Sequence, residues 1–118
     1  MKHISIILVF LNFFIEIFAQ HDTSFWNSQL QSIAKPSSQL GWILFKDEVS
    51  LNPENVFQQH KSCFRLGNDD NMNLKRVDED ELGYKHYRYQ QTYKGVKIEG
   101  AEYIVHSVNP FLCKSANG

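Results

Sequence analysis

Apolar and polar positions along this chain fall into a few short runs with distinct periods. The densest run covers residues 84–107, YKHYRYQQTYKGVKIEGAEYIVHS, where tyrosines and β-branched residues alternate with charges and glutamines. Such residues fit a pleated, half-buried surface, so the run predicts two strands joined at Lys94-Gly95. In the first strand Tyr87, Tyr89 and Tyr93 share one face, and His86, Arg88, Gln90 and Thr92 share the other. That alternation predicts tyrosines on a core and the polar set in water. Past the turn, Val96 and Ile98 have one parity, whereas Ala101, Tyr103 and Val105 have the opposite one. A bulge at Gly100 accounts for the change, because one extra residue re-aims every side chain that follows.

Upstream the patterns are weaker. Residues 42–48, WILFKDE, form an apolar run turning charged, which predicts a strand buried at its start. Asn52-Pro53-Glu54 is a helix start: asparagine caps, proline suits the first helical position, and an acid complements the helix dipole. Val56, Phe57, His60, Cys63 and Phe64 then lie on one helical face, and Gly67 is a natural stop, giving a main helix over about 53–66. A shorter helix is expected over residues 25–34, with Trp26, Leu30, Ile33 and Ala34 at helical spacing, Ser24 at its cap and Lys35-Pro36 at its end. Residues 37–41 read as a linker, 68–71 as a polar turn, 72–77 as a strand and 78–81 as an acidic tip. The predicted fold class is α+β: an antiparallel sheet with one main helix packed on it.

The first residues change the picture of what folds. Lys2 and His3 precede an apolar run over 4–14, and the small residue Ala19 follows, which is the layout of a secretory signal peptide cleaved between Ala19 and Gln20. The run is shorter than the roughly 20 apolar residues a spanning helix needs, and Glu16 interrupts its end. The expected organisation is therefore a signal peptide over 1–19, an N-terminal segment and linker over 20–40, a domain over 41–108 and a tail over 109–118. The formal charge of −1 and a pI near 6.5 offer no electrostatic case for nucleic acid or for an anionic membrane after signal removal. Cys63 and Cys113, in an exported chain, could form a disulfide; alternatively Cys63 packs as a small hydrophobe and Cys113 lies in the tail.

Catalytic signatures are missing from the sequence. It holds no H-E-x-x-H pair of zinc ligands, no G-x-S-x-G elbow and no P-loop. His60, His86 and His106 sit in three different predicted elements without the local spacing of a zinc site. The Asn68-Asp69-Asp70-Asn71 turn lacks the alternating oxygens and terminal glutamate of a calcium loop. Cys63 lies on the apolar side of its predicted helix, where a thiol is inert. No catalytic residue, metal ligand or cofactor is expected.

The residues of 82–106, LGYKHYRYQQTYKGVKIEGAEYIVH, closely resemble the fungalysin/thermolysin propeptide module. That module runs L-G, then H-x-R-x-Q-Q-x-Y-x-G-V, then V/I-x-G-A-E and a β run ending in histidine. The matched positions are His86, Arg88, Gln90, Gln91, Tyr93, Gly95, Val96, Gly100, Ala101 and Glu102, and the resemblance extends more loosely over 41–108. It implies the first part of the pro-region of a secreted thermolysin-like zinc metallopeptidase, assisting folding of the peptidase domain and holding it inactive. The implied partner is that peptidase domain, in cis or in trans, and its zinc ligands belong to it alone. Gly95 and Gly100 are expected to set turn and bulge geometry, with Tyr89, Tyr93 and Val96 in the core. Arg88, Gln90 and Thr92 on the polar face are the contact candidates, together with an exposed sheet edge. Where family members show Asn-Gly, Asn109-Pro110-Phe111 intervenes, and Pro110, without an amide donor, is expected to interrupt the last strand. The ending at Asn117-Gly118 suggests the start of a longer precursor, a truncated product, or a short free-standing inhibitor.

Overall fold

Lys94 and Gly95 have φ of 49° and 79°, and the residues flanking them, Tyr93 and Val96, are paired. Two successive positive φ angles make the tight two-residue turn whose twist matches that of paired strands, and glycine takes such a conformation without strain. The turn joins β4 (Lys85–Tyr93) to β5 (Val96–Asn109), the hairpin read from the sequence. This computed structural model describes residues 27–109 and 112–118. The expected signal peptide with Ala19 and Gln20, the start of the expected 25–34 helix, and Pro110 lie outside the described residues.

Four further strands complete one antiparallel sheet: β1 (Ala34–Pro36), β2 (Trp42–Phe45), β3 (Asp70–Glu79) and β6 (Leu112–Asn117), in the order β1-β2-β6-β5-β4-β3. Tyr87, Val105, Ala116 and Ile43 stand opposite one another across β4, β5, β6 and β2, forming a buried row on one face. Leu30, Ile33, Leu51, Val56, Phe57 and Cys63 complete the core from outside the sheet's centre. Phe57 is its aromatic hub, with ring centroids 4.8 Å from Phe64, 5.0 Å from Tyr89 and 6.2 Å from Tyr103. The Tyr89 hydroxyl donates to the Pro53 carbonyl, and burial raises its pKa further above the usual phenolic range.

The helical content differs from expectation. In place of a helix over about 53–66, the described residues hold a single α-turn, α1 (Val56–Gln59). Asn52 Oδ1 accepts from the Glu54 amide at 2.9 Å, a local turn ahead of the helix; the N-cap position falls instead on Asn55, whose side chain makes no capping bond. At His60, however, the backbone leaves helical geometry and continues as i→i−3 turns, with Arg65 at φ 56°. The reason is tertiary. Cys63 Sγ donates to Gln29 O at 3.3 Å and Asn27 Nδ2 to Cys63 O at 3.4 Å, which pulls this turn toward the N-terminal segment. A four-residue helix has little intrinsic stability to resist such a pull. Of the expected 25–34 helix, the described part is a 3-10 turn at Leu30–Ser32 leading into β1. Pro36 is tolerated in β1 because that strand lies at the sheet edge.

The C-terminal residues are the second correction. The segment read as a tail beyond the domain supplies β6, which pairs with β5 on one side and β2 on the other. The expected interruption of the last strand is not seen in the described residues on either side of Pro110, since Asn109 pairs with Leu112. Strand β3 is also longer than the 72–77 expected and includes Asp78 and Glu79 from the presumed acidic tip. Cys63 and Cys113 are both buried free thiols, so the disulfide reading is corrected. Among the described residues no helix is long and apolar enough to cross a membrane.

Replacing Phe57 with alanine removes the central ring of the core cover. The expected cost is about 3–5 kcal/mol, read as a lower urea midpoint at unchanged m-value.

Candidate functional site

The matched residues of the hairpin divide into a packed set and an open set, and a bulge separates them. Gln90 stands opposite Glu102, while Thr92 stands opposite Lys97, so two steps on β4 face five on β5. Three extra residues therefore loop out on β5, where one was expected; the odd number preserves the predicted change of face. Gly100, at φ 77°, makes the reversal within this excursion. The excursion leaves carbonyls without strand partners, and Gln90 Nε2 lies 2.7 Å from Ile98 O, 2.9 Å from Gln91 O and 3.3 Å from Ala101 O. Gln90 is 2% exposed. It is a buried clamp on the bulge, which corrects its assignment to the wet face as a contact residue. Tyr93, expected in the core, lies past the end of the core cover and is 49% exposed, with Lys94 Nζ 5.6 Å from its ring centroid. Val96 is exposed as well. Gln91 reaches Asp70 Oδ1 at 3.4 Å.

On the face opposite the tyrosines, register brings polar residues from several strands into line. Asp78 stands opposite His86, His86 opposite His106, and His106 opposite Ser115. His86 Nδ1 lies 2.6 Å from His106 Nδ1. The outer nitrogens are also engaged: His86 Nε2 is 2.9 Å from Asp80 Oδ2, and His106 Nε2 is 2.6 Å from Asn117 Oδ1. Trp42 stacks on the His106 ring at 5.1 Å and 12°. Asp80 is itself fixed by the turn between β3 and β4, its Oδ1 accepting from the Leu82 and Tyr84 amides at 2.9 and 3.0 Å. The His86 hydrogen bond, followed by those amides, holds Asp80 below the usual carboxylate range against the opposing effect of burial. Burial pushes His106 below the usual histidine value, and the charges of His86 and Arg88 act the same way, against the hydrogen bond to Asn117.

Beside this line, Arg88 Nε and Arg76 Nε donate to the same Asp78 oxygen, at 3.1 and 2.9 Å. The Arg88 hydrogen bond is the leading cause that lowers the Asp78 pKa. Thr92 Oγ1 accepts from Asn73 Nδ2 at 3.1 Å. Arg88 and Thr92 thus remain accessible while Gln90 does not. His60 ends α1 and takes no part in the histidine pair. No group of three or more metal-ligating side chains converges among the described residues. On the core face, a cleft of about 270 Å³ opens beside Phe57, Phe64, Arg65, Leu66, Met72 and Tyr103.

The histidine pair was not legible from motif spacing. His86 and His106 are 20 residues apart, and a hairpin continuing in register from Tyr93 and Val96 would set Tyr103 opposite His86. The parity change at Gly100 was the available signal; the size of the excursion was not. Asp80 was read only as part of an acidic tip.

The geometry defines a small, mainly antiparallel β module whose described residues present hydrogen-bonded polar rows in place of a nucleophile or metal constellation. Residues 70–108 match the family model described as Fungalysin/Thermolysin Propeptide Motif. The match takes in β3, β4 and nearly all of β5, and supports the propeptide module that these residues resemble; it is a propeptide motif, distinct from a catalytic domain. No curated protein and no solved structure matches the chain.

Two outcomes follow from the packed set. Gln90→Ala strands the bulge carbonyls and is expected to cost about 1–3 kcal/mol, while Thr92→Ala stays within about 0.5 kcal/mol; paired urea melts measure both. Burial pushes the Cys113 thiol up to about 12. A raised value means less thiolate, so iodoacetamide at pH 8 should label Cys113 at least ~100-fold more slowly in the native chain than after unfolding, read by peptide mass analysis.

Proposed function

We propose that this chain acts as a pro-region module of a secreted thermolysin-like zinc metallopeptidase, assisting the folding of the peptidase domain and holding it inactive. The observation that carries this reading is the propeptide match over residues 70–108, which spans the three longest strands of the sheet. Export is assigned to residues 1–19, with cleavage between Ala19 and Gln20. The partner is the peptidase domain, supplied in cis in a full precursor or in trans.

Two surfaces suit such a partner. Arg88 and Thr92 are accessible on the polar face, and the ion pairs of Arg88 and Arg76 with Asp78 are solvent-exposed. Exposed pairs of this kind contribute little to stability, so a guanidinium can exchange Asp78 for a carboxylate of the partner at small cost. Strand β3 lies at the edge of the sheet and exposes Leu74 and Val77, which suits addition of a partner strand.

The test adds the purified chain at micromolar concentration to a denatured thermolysin-like peptidase domain and, separately, to the folded enzyme. Higher refolding yield together with lower activity is expected. Inhibition without a refolding effect assigns the chain to a free-standing inhibitor role instead. No effect on either overturns both.

A further inference from the structure

We propose that His86 and His106 form a proton-limited latch that makes the seam between the matched hairpin and the β6–β2 side of the sheet labile to mild acid. The inference rests on the fold alone and holds whether or not the chain serves a peptidase.

The argument is a count of hydrogens. A carboxylate oxygen only accepts, so His86 Nε2 carries a proton toward Asp80 Oδ2. Across the 2.6 Å gap the two Nδ1 atoms can share one hydrogen. With none, two lone pairs face each other; with two, both N–H groups point into a space that holds only one. At the far end, His106 Nε2 meets the Asn117 amide at 2.6 Å. If Asn117 presents its oxygen, that nitrogen also carries a proton, and the two rings together hold three. If the amide is turned over, its NH2 donates, and the rings hold two. Neither arrangement admits a fourth proton, although two free histidines take up four in all.

The surroundings decide what the fourth proton disrupts. Facing the pair are Asp80 from the β3–β4 turn, Asp78 from β3, Arg88 from β4, Ser115 and Asn117 from β6, and Trp42 from β2. Asp78 is already shared by Arg76 and Arg88, which leaves Asp80 to neutralise one imidazolium but not two. Among the described residues His106 has no carboxylate partner. Its bonds run to Asn117 and to the other ring, and Trp42 lies flat against it. Charging both rings therefore separates the Nδ1 atoms and pulls His106 away from Asn117 and Trp42, the residues that tie β5 to β6 and β2. A metal ion is a poor substitute for the shared proton, because no third ligand converges there among the described residues.

The sign follows from linkage. The unfolded chain binds both protons near pH 6.5, whereas the folded pair refuses the last one, so stability falls as pH drops below about 6.5. Asp80, with its lowered pKa, acts in the same direction but in a separate window, below the ordinary carboxylate value.

Imidazole 15N NMR of the purified chain reads the protons directly. Between pH 7 and 5 the folded signals of His86 and His106 are expected to keep at least one of their four ring nitrogens unprotonated. Over the same range the unfolding constant is expected to rise about 20-fold, one proton's worth, and by no more than about 3-fold in His106→Gln, whose side chain does not titrate. Four protonated ring nitrogens in a folded chain at pH 5 overturn the latch. So does an equal acid response in His106→Gln. Should that variant fail to fold, the NMR count on the unaltered chain decides alone.

Discussion

The fold depends on how one side of a single sheet is kept from water. Six strands in one layer offer two faces, and only one is covered by the turns and short helix that precede β3. Tyr89 fastens this cover: its ring meets Phe57 edge-on, and its hydroxyl donates to the Pro53 carbonyl at the entrance to α1. Phe57 then gathers Phe64 and Tyr103. With so little helix, the cover has almost no stability of its own, and its order derives from the sheet beneath it. The hairpin is therefore both the matched motif and the template on which the preceding chain is arranged.

That one-sidedness explains where the motif residues end up. Positions under the cover become packing residues, as Tyr87 and Tyr89 do, while Tyr93, of the same parity, extends past the cover into water. The other face would be uniformly wet if the hairpin were regular. The excursion over 98–101 folds back on Gln90, whose amide then supplies donors that the interrupted ladder lacks. A glutamine inside a propeptide signature is thus explained by backbone hydrogen bonding. Arg88, two residues earlier, is left for exchangeable surface pairing.

The same excursion aligns the histidines. By adding an odd number of residues to β5 it keeps the face reading and moves the register, setting His106 against His86. The contact between the two histidines thus follows from a backbone irregularity, and Asp80 and Asn117 orient the two rings from opposite sides.

Local features were legible in the sequence because local physics sets them. The Lys94-Gly95 turn needs positive φ, and Tyr87 and Tyr89 follow a period of two toward a core. The signature of residues 82–106 likewise identified the propeptide motif found over 70–108. Tertiary structure alone decided the rest. Helical spacing over 53–66 yielded to Cys63 reaching Gln29, and the segment after Pro110 became a central strand because β2 and β5 both had an edge to satisfy. Gln90 went inside because only the size of the bulge, a property of paired strands, determines which carbonyls lack a donor. The meeting of His86 and His106 belongs to the same class: it is a matter of register, and register exists only once two strands have found each other.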